Sequence, residues 1–155
     1  MTVTIRRLTE TDNADVFQLG IQVHVLSKYG KDYHFNPEKV KHLIHLHATH
    51  PDYGAWLAID EQGNAVGALG AYVCPCFFGD DLLAFDEIVF VVPSAQSKGV
   101  GKQLISAYLD WAREKGVKAA HIGITAGITE QETTDKILAL GFEPWGQLTR
   151  KTLED

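Results

Sequence analysis

The chain has 155 residues, of which 45% are hydrophobic and 22% charged, and its formal net charge at pH 7 is −6. This size and composition indicate one soluble globular domain over residues 1–155, and no segment is apolar enough over sufficient length to predict a membrane-spanning helix. The acidic balance argues against nucleic acid as the main partner, and the N-terminal sequence MTVTIRRLTETDNAD lacks the apolar core of a secretory signal, which predicts a cytoplasmic protein.

The N-terminal part of the chain predicts one strand followed by two helices. Residues 3–9 (VTIRRLT) alternate β-branched or apolar residues with polar ones, which is typical of a strand. Thr11 or Asp12 is placed to cap a first helix, which Gly30 would end. A second helix is predicted over residues 36–51, where an asparagine N-cap precedes a proline at the first helical position.

The middle of the chain changes to the short period of β-structure. Residues 54–60 and 65–74 are apolar runs separated by EQGN, whose glycine and asparagine suit a hairpin turn. Residues 82–92 (LLAFDEIVFVV) form a nearly continuous apolar run, which predicts a strand buried on both faces near the middle of the sheet.

The C-terminal part predicts a helix, a strand, a second helix and a last strand. The first of these helices keeps apolar residues at helical spacing until Gly116 closes it. Residues 118–125 predict the next strand, and the spacing of Thr129 and Glu132 is that of a capping box at the start of the second helix. Residues 142–153 are interpreted as the last strand. The element order predicts a mixed α/β domain with one central sheet flanked by helices.

A glycine-containing loop, residues 96–101 (QSKGVG), joins the apolar strand to the following helix. It does not match a P-loop, because Gln96 and Gln103 stand where that motif needs a glycine and a hydroxyl residue. A dinucleotide-binding turn would need a third glycine at Leu104. Two interpretations remain: an anion-binding helix N-terminus, or a turn that needs glycine only for its backbone angles.

The flanking residues favour the anion-binding interpretation. Residues 87–116 resemble the acetyl-CoA-binding segment of the GNAT N-acetyltransferase superfamily. Its hallmark is Gln/Arg-x-x-Gly-x-Gly/Ala, often preceded by Val-x-Pro, and Gln96, Gly99 and Gly101 match it, with Val-x-Pro ending at Pro93. The resemblance implies a GNAT-like acyl-CoA N-acyltransferase fold, mostly antiparallel, and a single N-acetyltransferase domain over residues 1–155.

The resemblance also implies how acetyl-CoA is held, without any metal. Amides of residues 96–101 would bind the pyrophosphate, and the strand before them would splay from its neighbour and pair with the pantetheine arm. The Val91 amide would face the acetyl carbonyl as an oxyanion donor. The implied cofactor-binding residues are Ile88, Val89, Val91, Val92, Gln96, Ser97, Lys98, Gly99, Val100, Gly101 and Lys102.

Transfer to an amine requires a base, because free alkylamines are mostly protonated at pH 7. Glu87 resembles the glutamate base that some family members carry on this strand, and an ionisable residue in an apolar strand is typical of a functional site. Asp86 is the lesser candidate, since it points to the opposite face. The tyrosine that often serves the family as general acid is replaced here by Ile137.

The acceptor is an amine of a small molecule or a peptide, and the sequence does not identify it. By resemblance, Tyr29, Tyr33, His34 and Phe35 would line the acceptor pocket. Four histidines, His42, His45, His47 and His50, are interpreted as solvated helix surface rather than metal ligands. A homodimer is compatible with the resemblance, and the alternative function is a catalytically silent acyl-CoA-binding module or sensor.

Overall fold

The computed structural model describes residues 1–153, whose strands form a single five-stranded sheet in the order β1-β2-β3-β4-β5. The first four strands pair antiparallel, and β5 pairs parallel to β4. This arrangement confirms the predicted mixed, mostly antiparallel sheet. The strands are β1 (Val3–Arg7), β2 (Tyr53–Asp60), β3 (Ala65–Pro75), β4 (Leu82–Val91) and β5 (Ala119–His121).

Helices cover both faces of this sheet, because side chains along each strand point alternately to opposite sides. On β2, Trp56 packs against Tyr108 and its neighbours, whereas Leu57 packs with Leu19 and Ile44. The helices are α1 (Asn13–Leu26), α2 (Tyr29–Asp32), α3 (Pro37–Thr49), α4 (Val100–Glu114) and α5 (Glu130–Leu138). None of these helices in residues 1–153 is both long and apolar enough to cross a membrane.

The helix starts in the N-terminal part follow the sequence signals, but one predicted end does not. The Asn36 side chain accepts the Lys39 amide at 3.0 Å, which confirms the predicted cap of α3. Asp12 precedes α1, but its side chain makes no capping hydrogen bond. Its carboxylate instead accepts two bonds from the Arg6 guanidinium, which hold the pKa of Asp12 well below its usual range. The predicted end of the first helix at Gly30 is wrong, because α1 ends at Leu26 and Gly30 lies inside α2.

Two β-strand predictions at the C-terminal end are wrong or too long. The strand predicted over residues 118–125 is reduced to Ala119–His121, because the Gly123 amide then donates to the Asp86 carboxylate at 2.8 Å instead of to a backbone carbonyl. Residues 142–153, predicted as the last strand, form neither strand nor helix in the part of the chain that is described. In the described residues, the pairing between β4 and β5 is therefore three residues long.

The predicted capping box at the start of α5 is also wrong. Thr129 precedes the helix in a left-handed backbone conformation and its side chain makes no capping hydrogen bond. The Glu132 carboxylate instead pairs with Lys136 one turn later and accepts a bond from Ser97. This contact links α5 to the glycine-containing loop, because Ser97 lies in that loop.

Candidate functional site

The two strands β4 and β5 separate in the middle of the sheet. Their pairing stops at Phe85 and His121, so β4 has no β5 partner over residues 86–91 within the described chain. A cleft of 1170 Å³ opens at this point. Since the Val92 amide donates to Val66 of β3, strand alternation turns the amides of residues 89 and 91 toward the cleft.

The loop at the end of β4 turns the chain sharply into α4. The Gln96 side chain donates to the Val91 carbonyl at 3.0 Å, which ties the loop to the strand. Ser97 and Gly99 both have left-handed backbone conformations, with φ of 60° and 79°. The backbone angle at position 99 therefore favours glycine, which adopts this conformation without steric cost.

Gly101 is bare for a different reason. It has no left-handed backbone angle, and a Cβ atom placed on it would meet only Val91 Cγ2, at 3.9 Å. Neither the backbone nor the packing of the described chain therefore requires a glycine here. The missing side chain leaves the start of α4 open to close approach from the cleft.

The N-terminus of α4 provides the donors for an anion. The first backbone bond of the helix runs from the Gln103 amide to the Gly99 carbonyl, at 3.2 Å. The amides of Val100, Gly101 and Lys102 thus have no partner inside the helix, and the positive end of its dipole lies among them. This donor set fits a pyrophosphate group in charge and geometry.

Most of the residues predicted to hold the cofactor line this one cleft, but two do not. Lys98 is turned away, since its ammonium group donates to the Ser94 carbonyl at 2.8 Å. Val92 is directed into the core, where it packs between the two helical layers. The residues that do line the cleft are Ile88, Val89, Val91, Gln96, Ser97, Gly99, Val100, Gly101 and Lys102.

Glu87 lies on the same strand, at an irregularity in its pairing with β3. Gly70 pairs with Ile88 and Ala71 pairs with Asp86, so Glu87 is the extra residue of a β-bulge. The predicted burial of β4 on both faces is wrong at this point, because the Glu87 side chain is 34% exposed and Ile88 is also exposed. The bulge turns the Glu87 carboxylate toward α3.

The Glu87 carboxylate meets His47 of α3. Glu87 Oε2 and His47 Nε2 lie 2.8 Å apart, and the His47 side chain is only 9% exposed. The pair is an ion contact rather than an aligned hydrogen bond, since Nε2 has no partner with hydrogen-bond geometry in the described chain. His47 Nδ1 lies 2.8 Å from the Leu43 carbonyl and must therefore carry a proton.

Each ring nitrogen of His47 thus lies 2.8 Å from an oxygen atom, Nδ1 from the Leu43 carbonyl and Nε2 from Glu87 Oε2. The other carboxylate oxygen, Oε1, has no hydrogen-bond or ion-pair partner within residues 1–153.

A glycine makes this contact possible. Gly70 lies beneath the ring, and a Cβ atom at that position would come within 3.2 Å of His47 Nε2. Tyr53 packs edge-on against the ring from the side, with ring centroids 5.1 Å apart. The imidazole is thus held by the Leu43 carbonyl and the Tyr53 ring, in space that Gly70 leaves free.

The neighbouring carboxylate, Asp86, faces the other side of the strand, as predicted, and accepts the Gly123 amide. Burial raises the pKa of Asp86 to about 6, and the negative charge of Glu87 also raises this pKa, while the bond from Gly123 opposes the rise. Asp86 thus has an environment that disfavours its charge, although it is not directed toward α3.

Replacing Asp86 by asparagine is expected to stabilise the fold above pH 6. The folded-state pKa lies above the ordinary value of 3.8, so the folded chain binds more protons between these two pH values and stability falls as pH rises through that window. The asparagine variant lacks this loss and should gain about 1 kcal/mol, or about 2–4 °C in Tm, at pH 7.5. Calorimetry at pH 4 and 7.5 should show the gain disappearing at the lower pH, with Asp110→Asn as an exposed control. A gain that is equal at both pH values would contradict the assignment.

The other half of the cleft is formed by α1, α2 and α3. Of the four residues predicted for an acceptor pocket, Tyr29, His34 and Phe35 lie in this lining and Tyr33 does not. The Tyr33 ring lies against Tyr29 on the protein surface and is 52% exposed. Its backbone carbonyl accepts the His24 Nε2 proton instead.

The prediction that the four helix histidines are solvated is wrong for one of them. His42, His45 and His50 are exposed, but His47 is buried beside Glu87. The signal was available, because position 47 continues the apolar stripe of Leu43 and Ile44. No group of three or more metal-ligating side chains is found in residues 1–153.

Ile137 lies where the resemblance leads one to expect a tyrosine. Its side chain is buried in the core cluster beside α4 and also borders the cleft. It offers no proton donor. A general acid is therefore not provided at this position of α5.

Comparison with known proteins agrees with this architecture. A sequence model of the acetyltransferase (GNAT) family matches residues 22–130. An aminoglycoside N(6')-acetyltransferase type 1 from Klebsiella aerogenes is 32% identical over 96 residues. That match covers 59% of this chain and 60% of the relative, so the chain spans about three fifths of the length of that curated protein.

Solved structures of acetyltransferases have the same fold. The enzyme AAC(6')-Iy, in complex with a bisubstrate analogue of CoA and acetylneamine, superposes with a TM-score of 0.76 at 21% identity over 100% of both chains. An aminoglycoside acetyltransferase from an uncultured soil metagenomic sample, in complex with sisomicin, gives a TM-score of 0.75 at 22% identity, covering 98% of this chain and 97% of the other. Glucosamine-6-phosphate N-acetyltransferase from Arabidopsis thaliana gives 0.75 at 15% identity, covering 99% and 100%. With the family match over residues 22–130, these findings establish that the chain belongs to the acetyltransferase (GNAT) family.

Proposed function

We propose that residues 1–155 act as a single N-acetyltransferase domain, which moves an acetyl group directly from acetyl-CoA to the primary amine of a small molecule. One observation carries this proposal: Glu87 and the anion-binding loop face the same cleft from the two ends of one strand segment. A base and a phosphate-binding helix N-terminus in one cleft are what amine acetylation by a CoA thioester requires.

The cofactor half of the cleft has residues that fit CoA. Amides of Val100, Gly101 and Lys102 would hold its pyrophosphate, with Gly101 leaving room for close approach. The cleft-facing amides of Val89 and Val91 would pair with its pantetheine arm, and the Val91 amide is positioned to polarise the acetyl carbonyl. When bound, acetyl-CoA would supply the activated acetyl group, and no metal has a role in this proposal.

Glu87 would accept the proton that the acceptor amine must lose. An alkylamine with a pKa of about 10.4 is mostly protonated at pH 7 and cannot attack in that form. The free Oε1 atom is available for this proton, directly or through water, while Oε2 stays against His47. We therefore assign His47 a positioning role, since its fixed ring determines where the Glu87 carboxylate lies.

The reaction would proceed without a side-chain acid at Ile137. A thiol with a pKa of about 8.5 is a tolerable leaving group as its anion, so a proton from water after bond cleavage is enough. The apolar side chain at this position also leaves open the alternative that the protein is a catalytically silent acyl-CoA-binding module or sensor.

Release of CoA thiol on addition of amines separates these two functions. Both predict CoA binding by calorimetry, but only the enzyme releases thiol from acetyl-CoA faster when an acceptor amine is present. The relatives named as aminoglycoside acetyltransferases support a small-molecule acceptor over a peptide. CoA binding without amine-dependent release from any member of a panel of monoamines, polyamines, aminoglycosides and peptides would favour the silent module.

We also propose a cytoplasmic homodimer. Two free cysteines, Cys74 and Cys76, support a reducing compartment.

The dimer is supported by the C-terminal segment, residues 142–153, which exposes large apolar side chains, with Trp145 79% and Leu148 82% accessible. Apolar side chains exposed along one segment are typical of a surface covered by a partner, and light scattering would measure the mass. A monomer at micromolar concentration would contradict the dimer.

A further inference from the structure

In the part of the chain that is described, the half of the cleft formed by α1, α2 and α3, called the acceptor half below, lacks the carboxylates that a pocket for a polycation would need. Apart from Tyr29, the ionisable side chains that α1, α3 and the segment between them contribute to the cleft are all basic. They are His24, His34, Lys39 and His47, and within residues 1–153 these elements contribute no carboxylate to the lining.

The carboxylates that do line the cleft come from β4 and α5, and each already has a partner. Asp86 accepts the Gly123 amide and faces away from α3. Glu130 pairs with Lys28 at 3.3 Å, and Glu132 pairs with Lys136. Each of these four carboxylates keeps one oxygen without a partner in the described chain, but only Glu87 is directed toward α3.

Most of the remaining surface of this half is apolar or aromatic. Phe35 is part of it and lies edge-on to His24 at 5.3 Å and to Phe17 at 5.8 Å. Its neighbours in the lining are branched aliphatic side chains of α1 and α3, namely Val16, Leu19, Val23, Val40 and Ile44.

From this lining we infer that the acceptor is a monoamine with an aromatic or branched apolar body, not a polycation such as an aminoglycoside. One ammonium group binds Glu87, and further ammonium groups in this half would lose hydration beside apolar or basic side chains, since α1, α3 and the segment between them contribute no carboxylate to the lining in residues 1–153. The apolar body gains instead by removing Phe35 and its neighbours from water. The inference rests on the proposed function only in assigning Glu87 to the reacting amine.

Binding of two probes to the complex of the protein with CoA tests the inference without turnover. We expect 2-phenylethylamine to bind at least about 10-fold more tightly than neamine, a polycation, because one extra unpaired charge is worth about that factor. Calorimetry at physiological salt gives both affinities. Tighter binding of neamine, or no detectable binding of 2-phenylethylamine, overturns the inference. Loss of thiol release with this order of affinities intact would instead contradict only the proposed catalysis.

Reversal of one charge gives a second test. Lys39 lines the cleft at the first turn of α3, where glutamate also suits the helix N-terminus. Lys39→Glu is expected to tighten neamine binding about 5-fold and to change 2-phenylethylamine binding less than about 2-fold. Lys118→Glu changes the net charge equally but lies outside the cleft, beside Asp81, and should alter neither. Equal effects of the two variants would show that net charge, not the lining, governs binding, and would overturn the inference.

Discussion

Replacing Glu87 by glutamine should lower kcat about 10²–10³-fold while leaving the affinity for acetyl-CoA unchanged. Glutamine keeps the size of the side chain but cannot accept a proton from the amine. The amides proposed to bind phosphate lie at the start of α4, beyond the end of the strand segment that carries Glu87, so CoA binding is not expected to depend on this carboxylate. Initial rates of thiol release with a fixed amine, together with calorimetric titration of CoA, measure the two quantities separately.

The control for this variant is Glu61→Gln, an exposed glutamate in the turn between β2 and β3. It should acetylate like the wild type. Gly70→Ala tests the positioning role of His47, because the added Cβ would lie 3.2 Å from Nε2 and would shift the ring by a few tenths of an ångström relative to Glu87. We expect about a 10-fold lower kcat from it at unchanged CoA affinity. A Glu87→Gln variant as fast as the wild type would show that the base is another group.

Gly101→Val should weaken CoA binding at least about 100-fold and leave the fold as stable as before. The valine side chain would occupy the space through which an anion reaches the amides of α4. The backbone angle at this position suits any residue, and the nearest atom to a new Cβ is 3.9 Å away, so the unliganded chain tolerates the change. Valine is also a better helix former than glycine, by a few tenths of a kcal/mol. CoA titration and thermal unfolding measure the two effects.

The same substitution at Gly79 is the matched control, since that glycine lies in the β3–β4 connection away from the cleft, with nothing near its missing Cβ. Gly99→Val is expected to abolish CoA binding as well. It is less selective, because φ of 79° strains any side chain at that position and disturbs the loop itself. Unchanged CoA affinity in Gly101→Val would contradict the placement of the pyrophosphate at the start of α4.

Local signals in the sequence predicted much of this fold. The Asn36 cap and the EQGN turn each act over a few residues, and the structure confirms both. The glycine-containing loop is also recognisable from the sequence, because its left-handed Gly99 and the start of α4 are adjacent in the chain. These features could be predicted because their determinants lie within one or two turns of each other.

Features that depend on distant residues could not be predicted in the same way. The strand β5 stops early because the Asp86 carboxylate, 37 residues before Gly123, takes the amide that would have continued the ladder. The contact of His47 with Glu87 depends on the β-bulge of β4, which turns the Glu87 carboxylate toward α3. Residues 142–153 are interpreted from the sequence as a last strand, but a strand also requires a neighbouring edge, which a single segment does not reveal.

Because β4 loses its β5 partner after Phe85, the sheet is completed only when another chain of amides lies along Val89 and Val91. A molecule that pairs there binds the folded protein and not the unfolded one, so it adds about 2.7 kcal/mol of stability at 100 times its dissociation constant. On the proposed function this molecule is the acyl donor, and the lifetime of the protein against proteolysis would then follow the supply of that donor.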